Sequence, residues 1–499
     1  MLNIKKIAII LFMTVLLLLM FSCAKDNAGE INKKTDPANS VGSLDSDGHL
    51  PDTTGKWHQE PNNLPETDFG GRDFSVLLPE NDENRPYLYF AVEEQTGDDI
   101  IDALYKRNLT VEEKYNIKIN EIGKPNVADT ARKSILAGDN QYDLIIDYSI
   151  YMNSLATQSH LADLYEVPYI RDGLDKSWWD QSFRRDLSIN KKLHYGAGHL
   201  ILRDKLRISC IFFNKGMCQT FDIEYPYKYV YDGTWTLDKF IEMSKGINAD
   251  LNGDGVMDQN DRWGIMADTS FATYIFEAAG EKMMRLDKDG IPEITMNQPR
   301  AVDVIQKALI FCTTPESMFF ADDIKGASNI WYRANELFAE DRFLLRMGII
   351  EHVVRDLRPM ETDFGLVPMF KFDENQEDYY SRADSWGYVV SIPKNADFEF
   401  AGIITEALAY ESGSTLIPAF YDICLTSKHL RDNESEGMLD IIFNNTTYDI
   451  GYIYNIGNQQ EMLNNLIKKK STDFASAFEK AQSSMEMALQ KFIDSYSKN

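Results

Sequence analysis

The chain has 499 residues, 44% of them hydrophobic and 26% charged, and a formal net charge of −27. That length exceeds what one compact core accommodates, so two or three domains are expected. The acidic balance argues against charge-driven binding of nucleic acid or anionic lipid, and the composition is that of an ordinary globular protein.

The chain begins with a short basic stretch, Lys5 and Lys6, followed by an uncharged run from Ile7 to Phe21. At about fifteen residues the run is short of the ~20 that a helix needs to span a bilayer. It ends in Met20, Phe21, Ser22 and Cys23, after which Lys25, Asp26 and Asn27 turn the chain polar. This pattern resembles a bacterial lipoprotein signal, with Met20 in place of the usual leucine. The resemblance implies cleavage after residue 22, lipid on Cys23, and a protein held at the extracytoplasmic face of the cell membrane. Residues 23–67 are rich in Asn, Asp, Gly, Ser, Thr, Pro and Lys and read as a flexible stalk. As a random coil of roughly forty residues it would span on the order of 35 Å.

Order is expected from Asp73, where Phe74, Val76, Leu77 and Leu78 make a strand closed by Pro79. Apolar residues at Ile100, Ile101, Leu104, Val111 and Tyr115 are spaced for one face of a helix. A strand at Ile117–Ile119, a helix over 129–137 stopped by Gly138, and an apolar strand over 143–147 follow. Helices alternating with strands predict an α/β sheet with parallel members. A second series starts near Arg207, with a strand over 208–213, a helix over 236–247 and a strand over 263–266. The last hundred residues read as mostly helical, over 399–412, 434–443 and 473–495. Cys210, Cys218, Cys312 and Cys424 show no metal or redox spacing. The apolar stretches around Cys210, Cys312 and Cys424 suggest small buried hydrophobes, with a Cys210–Cys218 bridge left open.

Between Asp250 and Asp261, oxygen side chains fall at Asp250, Asn252, Asp254, Asp258 and Asp261, with Gly255 at the sixth position. The main-chain carbonyl of Val256 falls at the seventh. This spacing suits a structural Ca²⁺ ion, which takes six to eight hard oxygens around a tight turn. Asp261 stands where a bidentate Glu is usual, as in dockerin-like loops.

Several segments, in order, resemble the extracellular solute-binding proteins of ABC sugar importers, the maltose-binding-protein-like class in its Gram-positive lipoprotein form. They are Ala137, Gly138 and Asp139 followed by Tyr142, Asp143 and Leu144; Leu161 to Leu164; and Trp178, Trp179 and Lys192 to Tyr195. Phe212 to Lys215, Trp235 to Phe240, Ile392 to Lys394, and Arg431, Asp432 and Met438 to Asp440 complete the set. The resemblance covers essentially everything from Asp73 onward.

It implies two α/β lobes of the periplasmic-binding-protein type, with a ligand cleft at the hinge. The expected layout is a first lobe from 68–204 and 336–384, and a second from 205–335 and 385–499. It also implies a non-enzymatic, monomeric receptor that captures a carbohydrate, most plausibly an oligosaccharide, and delivers it to the membrane subunits of an ABC permease. Ligands of such sheets sit outside the carboxyl ends of strands, which singles out Glu94, Thr96, Asp147, Tyr148, Tyr151, Phe271 and Tyr274, with Trp331 in a loop-to-helix region and Asp384 and Trp386 just before a strand over 388–392. Sugar faces stack on Trp and Tyr rings, while Asp and Glu bond hydroxyls. Two alternatives stand beside this reading: a secreted glycan-acting enzyme, and a same-fold receptor for a peptide or other solute used in signalling or adhesion.

Overall fold

The computed structural model of the chain describes residues 60–80, 89–426 and 434–497. The leader, Cys23 and the stalk up to residue 59 lie outside the described residues, as do Arg431 and Asp432. Nine strands make the two main sheets: β1 (Arg72–Pro79), β2 (Ile117–Lys124), β3 (Leu144–Tyr148), β4 (Ser209–Asn214), β5 (Trp263–Ala267), β6 (Phe319–Phe320), β7 (Phe343–Ile349), β8 (Phe364–Val367) and β9 (Tyr388–Ser391).

The first sheet has the order β9-β3-β1-β2, with β1 parallel to β2 and β3 and with β9 antiparallel to β3. Its parallel members follow from the connections. Helix α1 (Asp99–Tyr115) carries the chain from β1 to β2, and α2 (Val127–Ala137) carries it from β2 to β3. A helical crossover is what returns a strand parallel to its predecessor. Helix α1 starts where the Asp98 carboxylate accepts the N–H groups of Ile100 and Ile101, which have no partner within the helix. It buries Ile100, Leu104, Val111 and Tyr115, and Asn116 ends it in the left-handed conformation. Gly138, at φ 68°, ends α2 in the same way. All five residues of β3 are buried, because strands flank it on both sides. After β3 comes α3 (Ser149–Ala156).

The second sheet has the order β8-β4-β7-β5-β6. Strand β5 is parallel to β7 and β6, whereas β4 is antiparallel to β7 and β8 to β4. Strands β4 and β7 are buried along their whole length, and so is α4 (Phe271–Ala278), which follows β5. Each sheet has its own apolar core, one around Phe74, Ile145, Trp179 and Tyr388, the other around Phe212, Phe240, Ile265 and Leu345.

The chain crosses between the two lobes in paired segments. Ile208 bridges Ala383 in antiparallel fashion, and the Asp384 N–H donates to the Arg207 carbonyl at 3.0 Å. A further passage lies at Thr415, between α5 (Phe398–Ser414), packed in the first core, and α6 (Leu416–Thr426), packed in the second.

The expected return of 336–384 to the first lobe is corrected. Strand β7 sits between β4 and β5, and β8 pairs with β4, so both belong to the second sheet. The assignment of 385–499 to the second lobe is corrected for its first part. Strand β9 pairs with β3, and α5 packs in the first core. Apolar strands such as these are buried on both faces, and sequence does not say which sheet has the vacant edge. The end of the expected stalk is also anchored: Leu64 packs on the first core and Glu60 accepts from Lys176 at 3.0 Å.

Glu406, on α5, is a polar pin inside the first lobe. Its two oxygens accept the indole N–H groups of Trp178 at 2.6 Å and Trp179 at 2.8 Å. The backbone opposite must be glycine: a Cβ on Gly173 would lie 1.9 Å from Glu406 Oε1. Cys210, Cys218, Cys312 and Cys424 are buried and no disulfide joins them, so the Cys210–Cys218 bridge does not form. Burial pushes their thiol pKa values up, to about 12 at Cys218.

Candidate functional site

Strands β1, β2 and β3 run parallel and end together at Pro79, Lys124 and Tyr148, and their ends floor an open cleft of ≈ 730 Å³. This is the position outside the carboxyl ends of strands where open α/β sheets hold ligands. The first turn of α2 and the start of α3 wall it, and Trp386 on the crossing segment closes one side.

Four of the expected residues meet here: Asp147, Tyr148, Tyr151 and Trp386. The backbone explains why. Tyr148 ends β3 and α3 starts at once, so Tyr151 stands close beyond the strand end. The register pairs Tyr388 with Tyr148, which brings Trp386, two residues before, level with the space past β3. The rings of Tyr148, Tyr151 and Trp386 contact one another with centroids 5.5 to 5.8 Å apart and planes crossed at 70° to 88°. Tyr148 is buried, whereas Tyr151 is 45% exposed and Trp386 40% exposed. Exposed rings of that size beside polar groups are what a ligand with an apolar face and a polar rim would meet.

Asp147 is buried at the cleft floor, where its Oδ1 accepts the Tyr148 N–H at 2.8 Å. Burial pushes its carboxyl up to about 7, against a smaller opposing effect of that N–H. Among the described residues it has no ion-pair partner. At the rim, Arg132 pairs with Asp129 and donates to Gln158 at 3.2 Å.

Asp384 does not face this cleft. Arg207 holds it at 2.7 Å and reaches Glu351 at 3.1 Å with its other nitrogen, and Arg203 approaches Glu351 at 3.5 Å. Tyr452 donates to Asp384 Oδ1 at 3.1 Å, and the Trp386 N–H donates to the same oxygen at 2.9 Å. Burial would raise the Asp384 carboxyl, but Arg207 and then Arg382 outweigh it and hold it below its ordinary value. Glu351 is likewise held down, against its burial, by Arg203, Arg207 and Arg355. Asp384 therefore acts at the crossing, tying the two lobes and positioning Trp386. The Arg203 guanidinium links the two places, lying 5.5 Å from the Tyr148 ring centroid and 5.7 Å from that of Tyr388.

The other expected contacts lie elsewhere. Phe271 is a core residue with no exposed surface, packed against Phe240 at 5.8 Å and Phe370 at 6.2 Å. Tyr274 is buried under the Arg382 guanidinium at 4.1 Å. Trp331 is 48% exposed at the start of the helix Ile330–Ala339, where its N–H is bonded by the Asn329 cap, and it does not line the cleft. Glu94 and Thr96 lie on an exposed segment before α1, and the Thr96 N–H donates to Asp102 at 2.9 Å. They follow β1 in sequence, but neither lines the cleft. Lys124, which sequence reasoning missed, was open to the strand-end rule that selected Asp147, because it ends β2, whereas Arg132, also missed, lies inside α2. No local signal marked Arg207 and Glu351, which meet across 144 positions of sequence.

The 250–261 loop turns tightly on its own side chains. Asp250 accepts the N–H groups of Gly253 at 2.7 Å and Gly255 at 2.9 Å, and these bonds lower its pKa. Asn252 accepts from Asp254, Asp254 from Val256, and Asp258 from Asn260. Asp261 is fully buried and takes the N–H groups of Leu251 and Asp258. Among the described residues, no three His, Cys, Asp or Glu side chains stand together as a metal site. A carboxylate that accepts an N–H keeps further lone pairs, so these bonds leave the loop's oxygens able to ligate a cation.

No protein-family model matches the chain, and no curated protein matches it in sequence. Solved structures do match. A cyclo/maltodextrin-binding protein complexed with maltotetraose aligns at TM-score 0.55 and 15% identity, over 86% of this chain and 97% of that one. UspC of M. tuberculosis aligns at TM-score 0.53 and 13% identity, over 83% of this chain and all of that one, 100%. The maltose/maltodextrin-binding domain MalE from Bdellovibrio bacteriovorus, bound to maltotriose, aligns at 0.50 and 16%, over 84% and 100%. The fold is that of the two-lobed periplasmic binding proteins. Within this periplasmic-binding-protein fold, the paired segments at 207–208 and 383–384 are the link between lobes, and the aromatic cleft opens beside them.

Proposed function

We propose that this protein is the substrate-binding component of an ABC carbohydrate importer, capturing a saccharide reversibly and without turnover. The observation that carries the reading is the open cleft at the ends of β1, β2 and β3. There the exposed Tyr151 and Trp386 rings stand beside the Asp147 carboxylate. Rings offer apolar sugar faces a surface, and a carboxylate accepts hydroxyl bonds. Proteins of the same fold solved with maltotetraose and maltotriose support the ligand class. An oligosaccharide fits an open cleft of ≈ 730 Å³ better than a monosaccharide does. In this reading the Cys23 lipid holds the monomer at the outer face of the membrane, and the permease subunits receive the ligand there. The test is a thermal-shift and calorimetric screen of oligosaccharides. A ligand bound stoichiometrically and recovered intact supports the receptor, because a ligand specific to the folded state raises its melting temperature. A ligand recovered cleaved overturns it.

The 250–261 loop is proposed to take a structural Ca²⁺ ion through Asp250, Asn252, Asp254, Asp258, Asp261 and the Val256 carbonyl. Support comes from the order of the oxygen residues and the tight turn at Gly253 and Gly255, both at positive φ. A melting temperature that is the same in calcium and in chelator overturns this.

A further inference from the structure

Resting on the carbohydrate reading above, we propose that the cleft selects a saccharide that carries a protonated amine. The ammonium group would stand against the Tyr148, Tyr151 and Trp386 rings and be neutralised by Asp147.

The ring geometry is the first reason. A neutral sugar face stacks on one ring, and a row of parallel rings would suit a chain of such faces. Here the three planes cross at 88°, 70° and 81°, so they meet as the walls of a corner. With centroids only 5.5 to 5.8 Å apart, a compact group in that corner lies within reach of all three. Ring faces are electron-rich, and a cation within about 6 Å of a centroid is attracted to each of them.

The second reason is the carboxylate. Asp147 is buried, opens on the same cleft and has no cationic partner among the described residues. A buried charge without a partner is costly, and an ammonium ion on the ligand would supply the partner. Among the described residues, the other charges that face the cleft are Glu80, Lys124, Asp129 and Arg132. Arg132 is paired with Asp129, and Glu80 and Lys124 are of opposite sign. Arg203, 5.5 Å from the Tyr148 ring centroid, is paired with Glu351. The balance of the cleft is thus set by Asp147. The net charge of −27 adds a long-range field that draws cations toward the molecule and repels anions.

Because burial holds the free carboxyl near 7, a bound ammonium ion would ionise it, so binding at pH 6 releases a proton. That release is a readout that sugar stacking alone does not produce.

The experiment is titration calorimetry on the detergent-solubilised full chain at pH 7, with four probes. These are a glucosamine oligosaccharide, its N-acetylated counterpart, the neutral glucose oligosaccharide of equal length, and tetramethylammonium. The amine form is expected to bind about tenfold tighter than the acetylated and neutral forms, and in Asp147→Asn the ratio falls to about twofold or less. Repeating the titration at pH 6 in buffers of different ionisation enthalpy reads the proton. Equal binding of the amine and acetylated forms overturns amine selection and leaves the carbohydrate reading standing. Tetramethylammonium binding as tightly as the amino sugar overturns the saccharide part. If no saccharide binds, both readings fall. The comparison of probes on the unaltered chain decides the matter even where Asp147→Asn folds poorly.

Discussion

Asp147 and Asp384 are both aspartates close to Trp386, the first buried and the second with its side chain only 11% exposed. Yet they do opposite work. At the lobe crossing Asp384 is surrounded by donors: Arg207, the Tyr452 hydroxyl and the Trp386 N–H. Its carboxyl is held below the ordinary value. On the cleft floor Asp147 has one backbone N–H, and burial carries it up to about 7. The same residue type in the same kind of position is a tie in one place and an unfilled acceptor in the other. What separates them is the set of partners that tertiary structure brings. A buried carboxylate with its partners on the same chain stabilises the fold, and one without them is kept for something that arrives from outside.

The comparison can be broken hardest at the crossing. Arg207→Ala leaves Asp384 and Glu351 short of a cation in a buried place, and is expected to cost about 3–5 kcal/mol of unfolding free energy. Urea denaturation followed by circular dichroism measures it, and a loss below about 1 kcal/mol would remove the tie.

Glu406 is an intermediate case that sharpens the contrast. It has two indole donors but no cation, and burial, opposed by those bonds, carries it up to about 7. Glu406→Ala strands two buried N–H groups and opens a cavity. An expected loss of about 2–4 kcal/mol, read in the same assay, would place it on the structural side.

Asp147→Asn should do the reverse. Between about pH 4 and 7 the folded state keeps a proton on Asp147 that the unfolded chain has released, so stability falls as pH rises through that window. Removing the carboxylate therefore gains at most about 4 kcal/mol at pH 8 and nothing at pH 4. Asp384 and Glu351, with depressed pKa values, have the opposite sign: their contribution is present at neutral pH and lost on acidification. A melting temperature for Asp147→Asn that trails the parent at pH 8 would mean that this carboxylate is structural after all.

The smallest effect on stability belongs to Trp386→Ala. The ring is 40% exposed, so folding should change by roughly 0.5 kcal/mol or less, while saccharide binding is largely lost. Calorimetric titration beside a thermal melt separates the two.

The Asp147, Tyr148 and Tyr151 wall was legible because a short apolar strand, 144–148, must be buried, and the residues at its carboxyl end must emerge at the sheet's edge. Trp386 precedes β9 and reaches the same edge because β9 runs antiparallel to β3. Phe271 and Tyr274 satisfied the same rule and failed, because α4 follows β5 so closely that its first turns are taken into the second core. Trp331 was selected as an aromatic in a loop, a feature that is equally common on plain surface. The exchange of β7 and β9 between expected lobes has a related cause. Both are apolar enough to fit either sheet.

By itself the sequence determined the element types, the crossover order of β1, β2 and β3, and the aromatic and acidic residues at their ends. Those follow from periodicity, capping residues and turn chemistry, which act over a few neighbours. Only tertiary structure decided which sheet each late strand joins, that Asp384 is paired while Asp147 has no ion-pair partner among the described residues, and that three rings meet as a corner. Those depend on contacts between residues such as Arg207 and Asp384, 177 positions apart, whose pairing has no local trace in the chain.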